Sequence, residues 1–271
     1  SRLIAGGTAL VIMLKEGILT PSKLIDISEI ESMRKISYDE RNGLSIGSMS
    51  THLEIENSEA VAKHYPALRE AFHTIGNVRI RAVGTIGGNL AYAEPQCNPP
   101  AILAALSATI HARGKNGKRE IPAEGFIKGI FESALESGEI ITSISIPPPR
   151  PRSAVTFYKF TTKSETDKPT ATVAVYLESE ERSEKITECR IVVGAVGPVT
   201  SRCKNAENLV KKAQNFSSID YSDVAEAASE EIEVMDDLYG PSWYKKQVTK
   251  SILIDSLKQA VEKIENESQL R

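Results

Sequence analysis

The sequence predicts an α+β protein in two parts, and three observations predict it. Short alternating apolar segments are interleaved with helix-like ones through residues 1–146, a stiff segment Pro147-Pro148-Pro149-Arg150-Pro151-Arg152 interrupts the chain, and three further strand-like segments are followed by helices. A proline run of this kind is extended and semi-rigid, so it is taken as a connector dividing the chain into 1–150 and 151–271. Its other use, as a ligand for an SH3-type domain, requires more assumptions.

Leu3-Ile4-Ala5 has the pattern of a short buried strand ending in Gly6-Gly7, with an apolar segment to Leu14 and a turn at Thr20-Pro21 beyond it. Leu24-Ile25-Asp26-Ile27 and Leu44-Ser45-Ile46-Gly47 are expected strands, the second entered through the tight-turn dipeptide Asn42-Gly43. Thr51 and Glu54 stand in capping-box spacing and open a helix, and another helix is predicted over 58–74. Residues 76–89 carry too much glycine for either element. Pro99-Pro100 leads into a helix over 101–106, then a strand over 108–112, a turn from Gly114 to Gly117 and a period-two strand over 140–146. After the connector, 155–160, 170–177 and 187–194 predict three strands of a small antiparallel sheet, and two helices close the chain. The last helix carries Leu253, Leu257, Val261 and Ile264 on one face; the acidic span 220–237 carries Val224, Ala227, Ala228 and Ile232 and is expected to be a solvated helix.

Composition excludes several classes. With 41% hydrophobic and 25% charged residues in 271, the chain is an ordinary globular protein, large enough to form its core without disulfides. A formal net charge of −3 leaves no bulk positive field for polyanions. The longest apolar run, Ala9 to Leu14, is far short of the roughly 20 residues that span a bilayer. Three cysteines, Cys97, Cys189 and Cys203, make no CxxC pair and fit a reducing, cytoplasmic compartment. The four histidines show no HxxxH or HxxE spacing, so no metal site is expected. The chain starts inside a strand without Met, and a further N-terminal piece is expected before it.

No GxGxxG or GxxxxGK(S/T) occurs. Gly43-Leu44-Ser45-Ile46-Gly47 matches GxSxG, but Ser45 lies midway along a strand and every histidine is early, so a serine hydrolase using Ser45 is a poor fit. His73 is expected to pack or cap. Two features stand out: Gly6-Gly7-Thr8 directly after a strand, and Thr85-Ile86-Gly87-Gly88-Asn89 some 80 residues later. Adjacent glycines lack Cβ atoms and let main-chain amides approach a charged oxygen closely, the requirement of a pyrophosphate where basic residues are missing.

Ala5-Gly6-Gly7-Thr8-Ala9-Leu10, the stretch from Ile75-Gly76 to Asn89, the Glu139-Ile140-Ile141 strand and Phe157-Tyr158-Lys159-Phe160 occur in an order that resembles the FAD-binding medium subunit of the molybdenum hydroxylases. This is the family of xanthine dehydrogenase, carbon monoxide dehydrogenase and aldehyde oxidoreductase. Trp243-Tyr244-Lys245-Lys246 stands where the family has a Tyr-Arg-Arg-like start to its last long helix. The resemblance implies a two-lobed FAD-binding domain of the vanillyl-alcohol-oxidase type over 1–150, followed by a small α+β C-terminal domain over 151–271. It implies that Ala5, Gly6, Gly7, Thr8 and Ala9, with Thr85, Ile86, Gly87, Gly88 and Asn89, clamp the pyrophosphate and ribityl region of FAD. Ile75 and Gly76 would line the cofactor, Ile141 would pack on the isoalloxazine and Lys159 would sit near its edge. Asn98 stands where the family often has an aspartate bonded to the cofactor; asparagine keeps an acceptor and loses the charge. The family has an extra strand and helix before the first loop, which this sequence lacks.

The implied activity is that of an oxidoreductase subunit without an acid–base dyad of its own, since the flavin carries the chemistry. Electrons would come from a molybdenum cofactor on a large subunit through two-iron two-sulfur clusters on a small one to this FAD, then to an external acceptor. Three scattered thiols cannot hold such clusters, so the partners would be separate chains. A flavin-free scaffold of the same fold is the alternative.

Overall fold

The computed structural model describes residues 1–180 and 184–269. β1 (Arg2–Ile4), α1 (Leu10–Lys15) and β2 (Leu24–Asp26) form a small unit in which the two strands pair in parallel. The strand expected at Leu3 forms, but it is not buried within this chain. Leu3 is 38% exposed, Ile25 49% and Ile12 60%, and α1 buries no residue.

β3 (Ile36–Asp39) and β4 (Gly43–Gly47) form a hairpin; the sequence analysis assigned only the second strand. Asp39 Oδ1 accepts from the amides of Arg41 and Asn42, and Gly43 takes φ +81° to complete the turn. α2 (His52–Glu56) starts at the predicted capping box, with Glu54 N donating to Thr51 Oγ1 at 3.1 Å and Thr51 N to Glu54 Oε2 at 2.7 Å. The single helix expected over 58–74 is two, α3 (Glu59–His64) and α4 (Pro66–His73). Pro66 has no N–H to continue the ladder and instead serves as the first residue of the second helix.

The glycine-rich stretch contains α5 (Val78–Val83) and α6 (Ile86–Tyr92), where neither element was expected. Each helix is held by a cap. Asn77 Oδ1 accepts from Arg79 N and Ile80 N at 3.0 and 3.1 Å, and Thr85 Oγ1 accepts from Gly88 N at 3.1 Å. α7 (Pro99–Ala105) is buried along its whole length. β5 (Thr109–Gly114), β6 (Gly117–Pro122) and β9 (Ile140–Ile146) complete an antiparallel sheet in the order β3-β4-β9-β5-β6, and β7 (Ile127–Gly129) pairs with β8 (Glu132–Ser133) beside it. Leu44, Ile46, Ile110, Ile144 and Ile146 point from the sheet into a core shared with α4 and α7.

Beyond the proline segment, β10 (Ser153–Phe160), β11 (Ala171–Ser179), β12 (Ile186–Gly194) and β13 (Ser201–Arg202) form the expected antiparallel sheet with one short strand added. Three helices follow where two were expected: α8 (Lys204–Lys212), α9 (Tyr221–Glu231) and α10 (Ser242–Gln269). Leu253, Leu257, Val261 and Ile264 are buried together on α10, and Val224 and Ala228 are buried on α9. β11 is covered on both faces: Ala174 joins the first core with α7, while Val173, Val175 and Leu177 join a second core with α10. Continuous burial along a strand is the expected pattern when both faces are packed.

Candidate functional site

The site is built on α2. Its His52 and Glu56, one helical turn apart, support the segment from Thr74 to Gly84. His52 N donates to Gly84 O at 2.9 Å, and the ring lies so close that a Cβ on Gly84 would be 3.0 Å from His52 Cδ2. Burial, with the neighbouring Arg81 charge, pulls His52 down to about 4, and its buried Nδ1 has no partner. Glu56 Oε2 accepts from Arg81 Nε at 2.7 Å, while Glu56 Oε1 lies 2.7 Å from Nδ1 of solvent-facing His73. Burial pushes the Glu56 carboxyl upward, yet the hydrogen bonds and charges of His73 and Arg81 outweigh it and hold the group below its ordinary value. His73 therefore packs against Glu56, in line with its expected role.

Arg81 Nη1 donates to Ile75 O at 3.3 Å and Gly76 O at 3.2 Å. Lys159 Nζ donates to Thr74 O at 2.6 Å and Glu165 O at 2.8 Å, which joins β10 to the same turn. Burial pulls Lys159 down to about 8, against Asp167 and Glu165, which draw it upward. Asn98 is turned toward α4, its Nδ2 donating to Ala71 O and Thr74 Oγ1 at 3.0 Å each.

The two glycine segments lie side by side. A Cβ on Gly6 would sit 1.7 Å from Val83 O, so only glycine allows the first segment this close to the end of α5. A Cβ on Gly88 would face Ala5 Cβ at 4.0 Å, and one on Gly87 would meet Ser48 Cβ at 2.6 Å. The segments differ in one respect that the sequence analysis missed. The amides expected to be available in the second are already spent: Ile86 N on Ser50 O, Gly87 N on Ser48 O, Gly88 N on Thr85 Oγ1 and Asn89 N on Thr85 O. Thr85 to Asn89 is the first turn of a helix and not a loop, so its glycines permit close approach without donating. In the first segment the amides of Gly6, Gly7, Thr8 and Ala9 have no acceptor among the described residues. Gly7 takes φ +70°, a conformation that side chains rarely allow.

These features fit a dinucleotide cofactor. Four consecutive unspent amides lie in a segment that adjoins the paired glycines of α6, and Ser48 Oγ and Asn89 Oδ1 are buried there without partners. Ile75 and Gly76 lie half-buried at the other end of α5. Ile141 belongs to the first core and is 4% exposed. Ser45 is exposed on the outer face of the sheet, paired with Ser37 and Ser145; the histidine of that face, His111, is bonded through Nε2 to Ser145 Oγ at 2.8 Å. Ser45 is thus on a regular strand with no hydrogen-bonded histidine among the described residues, unlike a nucleophile at a strained turn. A cavity of about 1020 Å³ opens at the far end of α4, lined by Tyr65, Pro147, Tyr176 and Arg190, away from both glycine segments. Ser48, His52, Glu56 and Arg81 were not among the residues expected at the site. The four-residue spacing of His52 and Glu56 and the two arginines, Arg79 and Arg81, inside a glycine-rich stretch were the available signals.

Residues 1–149 match the family model described as the FAD binding domain in molybdopterin dehydrogenase, and residues 156–260 match the CO dehydrogenase flavoprotein C-terminal domain. The chain is 30% identical over 260 residues to the glyceraldehyde dehydrogenase medium chain of Sulfolobus acidocaldarius, covering 96% of this chain and 90% of that one. It is 31% identical over 246 residues to the carbon monoxide dehydrogenase medium chain of Hydrogenophaga pseudoflava, covering 90% and 84%. Among solved structures, quinoline 2-oxidoreductase from Pseudomonas putida 86 superposes with a TM-score of 0.88 at 27% identity, over 97% of this chain and 90% of that one. No helix among the described residues is long and apolar enough to cross a membrane. The fold, the paired glycine segments and these likenesses together make the chain a member of the FAD-binding medium-subunit family of the molybdenum hydroxylases, an oxidoreductase subunit whose cofactor is FAD.

Proposed function

We propose that this chain is the flavin-carrying relay of a multi-subunit molybdenum-containing dehydrogenase. Bound FAD supplies two-electron redox chemistry between iron–sulfur clusters on a small partner subunit and an external acceptor, with the molybdenum cofactor on a large partner. The amides of Gly6, Gly7, Thr8 and Ala9 donate to the diphosphate oxygens, and each such charge-assisted bond contributes about 1.5–3 kcal/mol. Gly87 and Gly88 let the cofactor lie against the start of α6, where Asn89 Oδ1 and Ser48 Oγ offer polar groups to the ribityl hydroxyls. Ile75, Gly76 and Lys159 frame the ring end, and Asn98 holds that turn through Thr74.

The observation that carries this function is the contact between the two glycine segments, Gly6 against Val83 and Gly88 against Ala5, in a chain of this family. The relatives are named as medium chains and as a complex subunit, which supports separate large and small partners. Three free cysteines support a reducing, cytoplasmic setting, and the two family matches support a division near residue 150. The test is native purification from the source. About one FAD per chain, with molybdenum and iron on accompanying larger and smaller chains, is the expected composition. Copurification of a colourless chain that takes up no FAD at micromolar concentration overturns it in favour of a flavin-free scaffold.

A further inference from the structure

The Ile75–Gly76–Asn77 turn is arranged by a side chain that no cofactor role has been given. The described residues contain no cis peptide bond, and in a trans peptide plane the C=O and N–H point in opposite directions. Arg81 Nη1 binds both Ile75 O and Gly76 O, the carbonyls of two successive planes. The N–H groups of those planes belong to Gly76 and Asn77, so both point away from Arg81, side by side. Neither has an acceptor among the described residues. Gly76 holds φ +46°, the left-handed conformation that turns its two flanking carbonyls to one guanidinium. Arg81 has little freedom: it is 9% exposed, and its Nε is held by Glu56 Oε2 at 2.7 Å.

α5 separates this pair of amides from the glycine contact. Gly76 precedes the helix and Gly84 follows it, which at the helical rise is a span of about 10 Å. That distance is too long for the two amides to reach a diphosphate held at Gly6, and it is of the order of a ribityl chain.

We infer that Arg81 is a positioning residue for the flavin: by drawing the Ile75 and Gly76 carbonyls inward, it presents the Gly76 and Asn77 amides as paired donors to the carbonyl edge of the isoalloxazine. This rests on the proposed placement of FAD along α5. Glu56 acts one step further back by aiming the guanidinium.

The experiment compares the full chain with its Arg81→Gln and Arg81→Lys variants. It measures dissociation constants for FAD, riboflavin and ADP, the visible flavin spectrum and the circular dichroism melt. Arg81→Gln is expected to weaken FAD and riboflavin about tenfold, the equivalent of one lost hydrogen bond, to shift the visible flavin bands, and to leave ADP within about twofold. Arg81→Lys is expected to recover part of the loss, because an ammonium reaches one carbonyl but not two. A folded Arg81→Gln protein with parental FAD affinity and spectrum overturns the inference. So does one that loses ADP and FAD equally, since the network would then only support the fold. If Arg81→Gln does not fold, Glu56→Gln is judged by the same criteria. A parent chain that binds no flavin overturns the proposed function and this inference with it; a flavin-binding parent with indistinguishable variants overturns only the latter.

Discussion

Replacing Gly6 by alanine adds one methyl group at the most confined point of the candidate site. Its Cβ would lie 1.7 Å from Val83 O and 2.6 Å from Val83 C, both main-chain atoms that cannot rotate aside. Moving that Cβ beyond about 3 Å displaces the β1–α1 unit from α5 by more than about 1 Å. The unspent amides of Gly6 to Ala9 move with it, while Thr85 to Asn89 stay anchored to Ser48 and Ser50. A cofactor that stays seated on Gly87 and Gly88 then loses the Gly6 to Ala9 donors, the unspent amides of the two segments. Loss of two charge-assisted hydrogen bonds, about 1.5–3 kcal/mol each, weakens FAD by at least about 100-fold. The rest of the molecule should not notice, because neither apolar core contains a residue of the β1–α1 unit. The expected result is a Gly6→Ala protein whose thermal midpoint without FAD lies within about 3 °C of the parent, and whose FAD affinity by flavin fluorescence quenching is at least 100-fold poorer. Parental FAD affinity would refute the argument that this close approach forms the cradle. A drop in midpoint of 10 °C or more would show instead that the N-terminal unit is part of the main cooperative structure.

Three further outcomes are expected. Gly88→Val narrows the gap to Ala5 from the other side and presses on the α6 cap, its Cβ 2.9 Å from Thr85 Oγ1, so it should abolish FAD uptake while lowering stability by only the roughly 1 kcal/mol of a weakened cap; retained uptake would displace the cofactor from this gap. His52 is buried and neutral with a value near 4 against an ordinary 6.5, so the unfolded chain takes up a proton first as pH falls. Its contribution is complete above about 6.5 and is lost toward 4, about 3 kcal/mol in all, and His52→Phe should flatten that part of the urea-midpoint profile between pH 7 and 4.5. Lys245 is fully buried with Nζ 2.6 Å from Asp237 Oδ2, which also accepts from Gln96; Lys245→Met leaves that carboxylate unpaired and should cost about 3–5 kcal/mol in denaturant titrations, with Asp237→Asn restoring much of it, and a cost below 1 kcal/mol would contradict the pairing.

Features set within a few residues were legible in the sequence: the capping box at Thr51 and Glu54, the Asn42-Gly43 turn, the alternation of β9, and the apolar stripe of α10. The paired glycines were legible as a family signature, and with them the cofactor. Pro66 was a readable break that the helical pattern around it concealed. The helices α5 and α6 were not legible: Gly87 and Gly88 cost α6 helix propensity of roughly 1 kcal/mol each, α5 is a six-residue piece half made of valine and isoleucine between Gly76 and Gly84, and what offsets this lies elsewhere, in caps and in the seat on α2 and Ser48. Hydrogen-bond direction was equally hidden. Two similar glycine pairs differ in whether their amides are spent, and that depends on Ser48 and Ser50 arriving beside α6 from another part of the chain. Local chemistry along the chain therefore determined which elements form and which cofactor family they serve. Only tertiary packing decided which main-chain groups stay free to meet a ligand, because an amide finds an acceptor 36 or 39 residues away in sequence, as Ile86 and Gly87 do, or lacks one, only once α2, α5 and α6 are stacked.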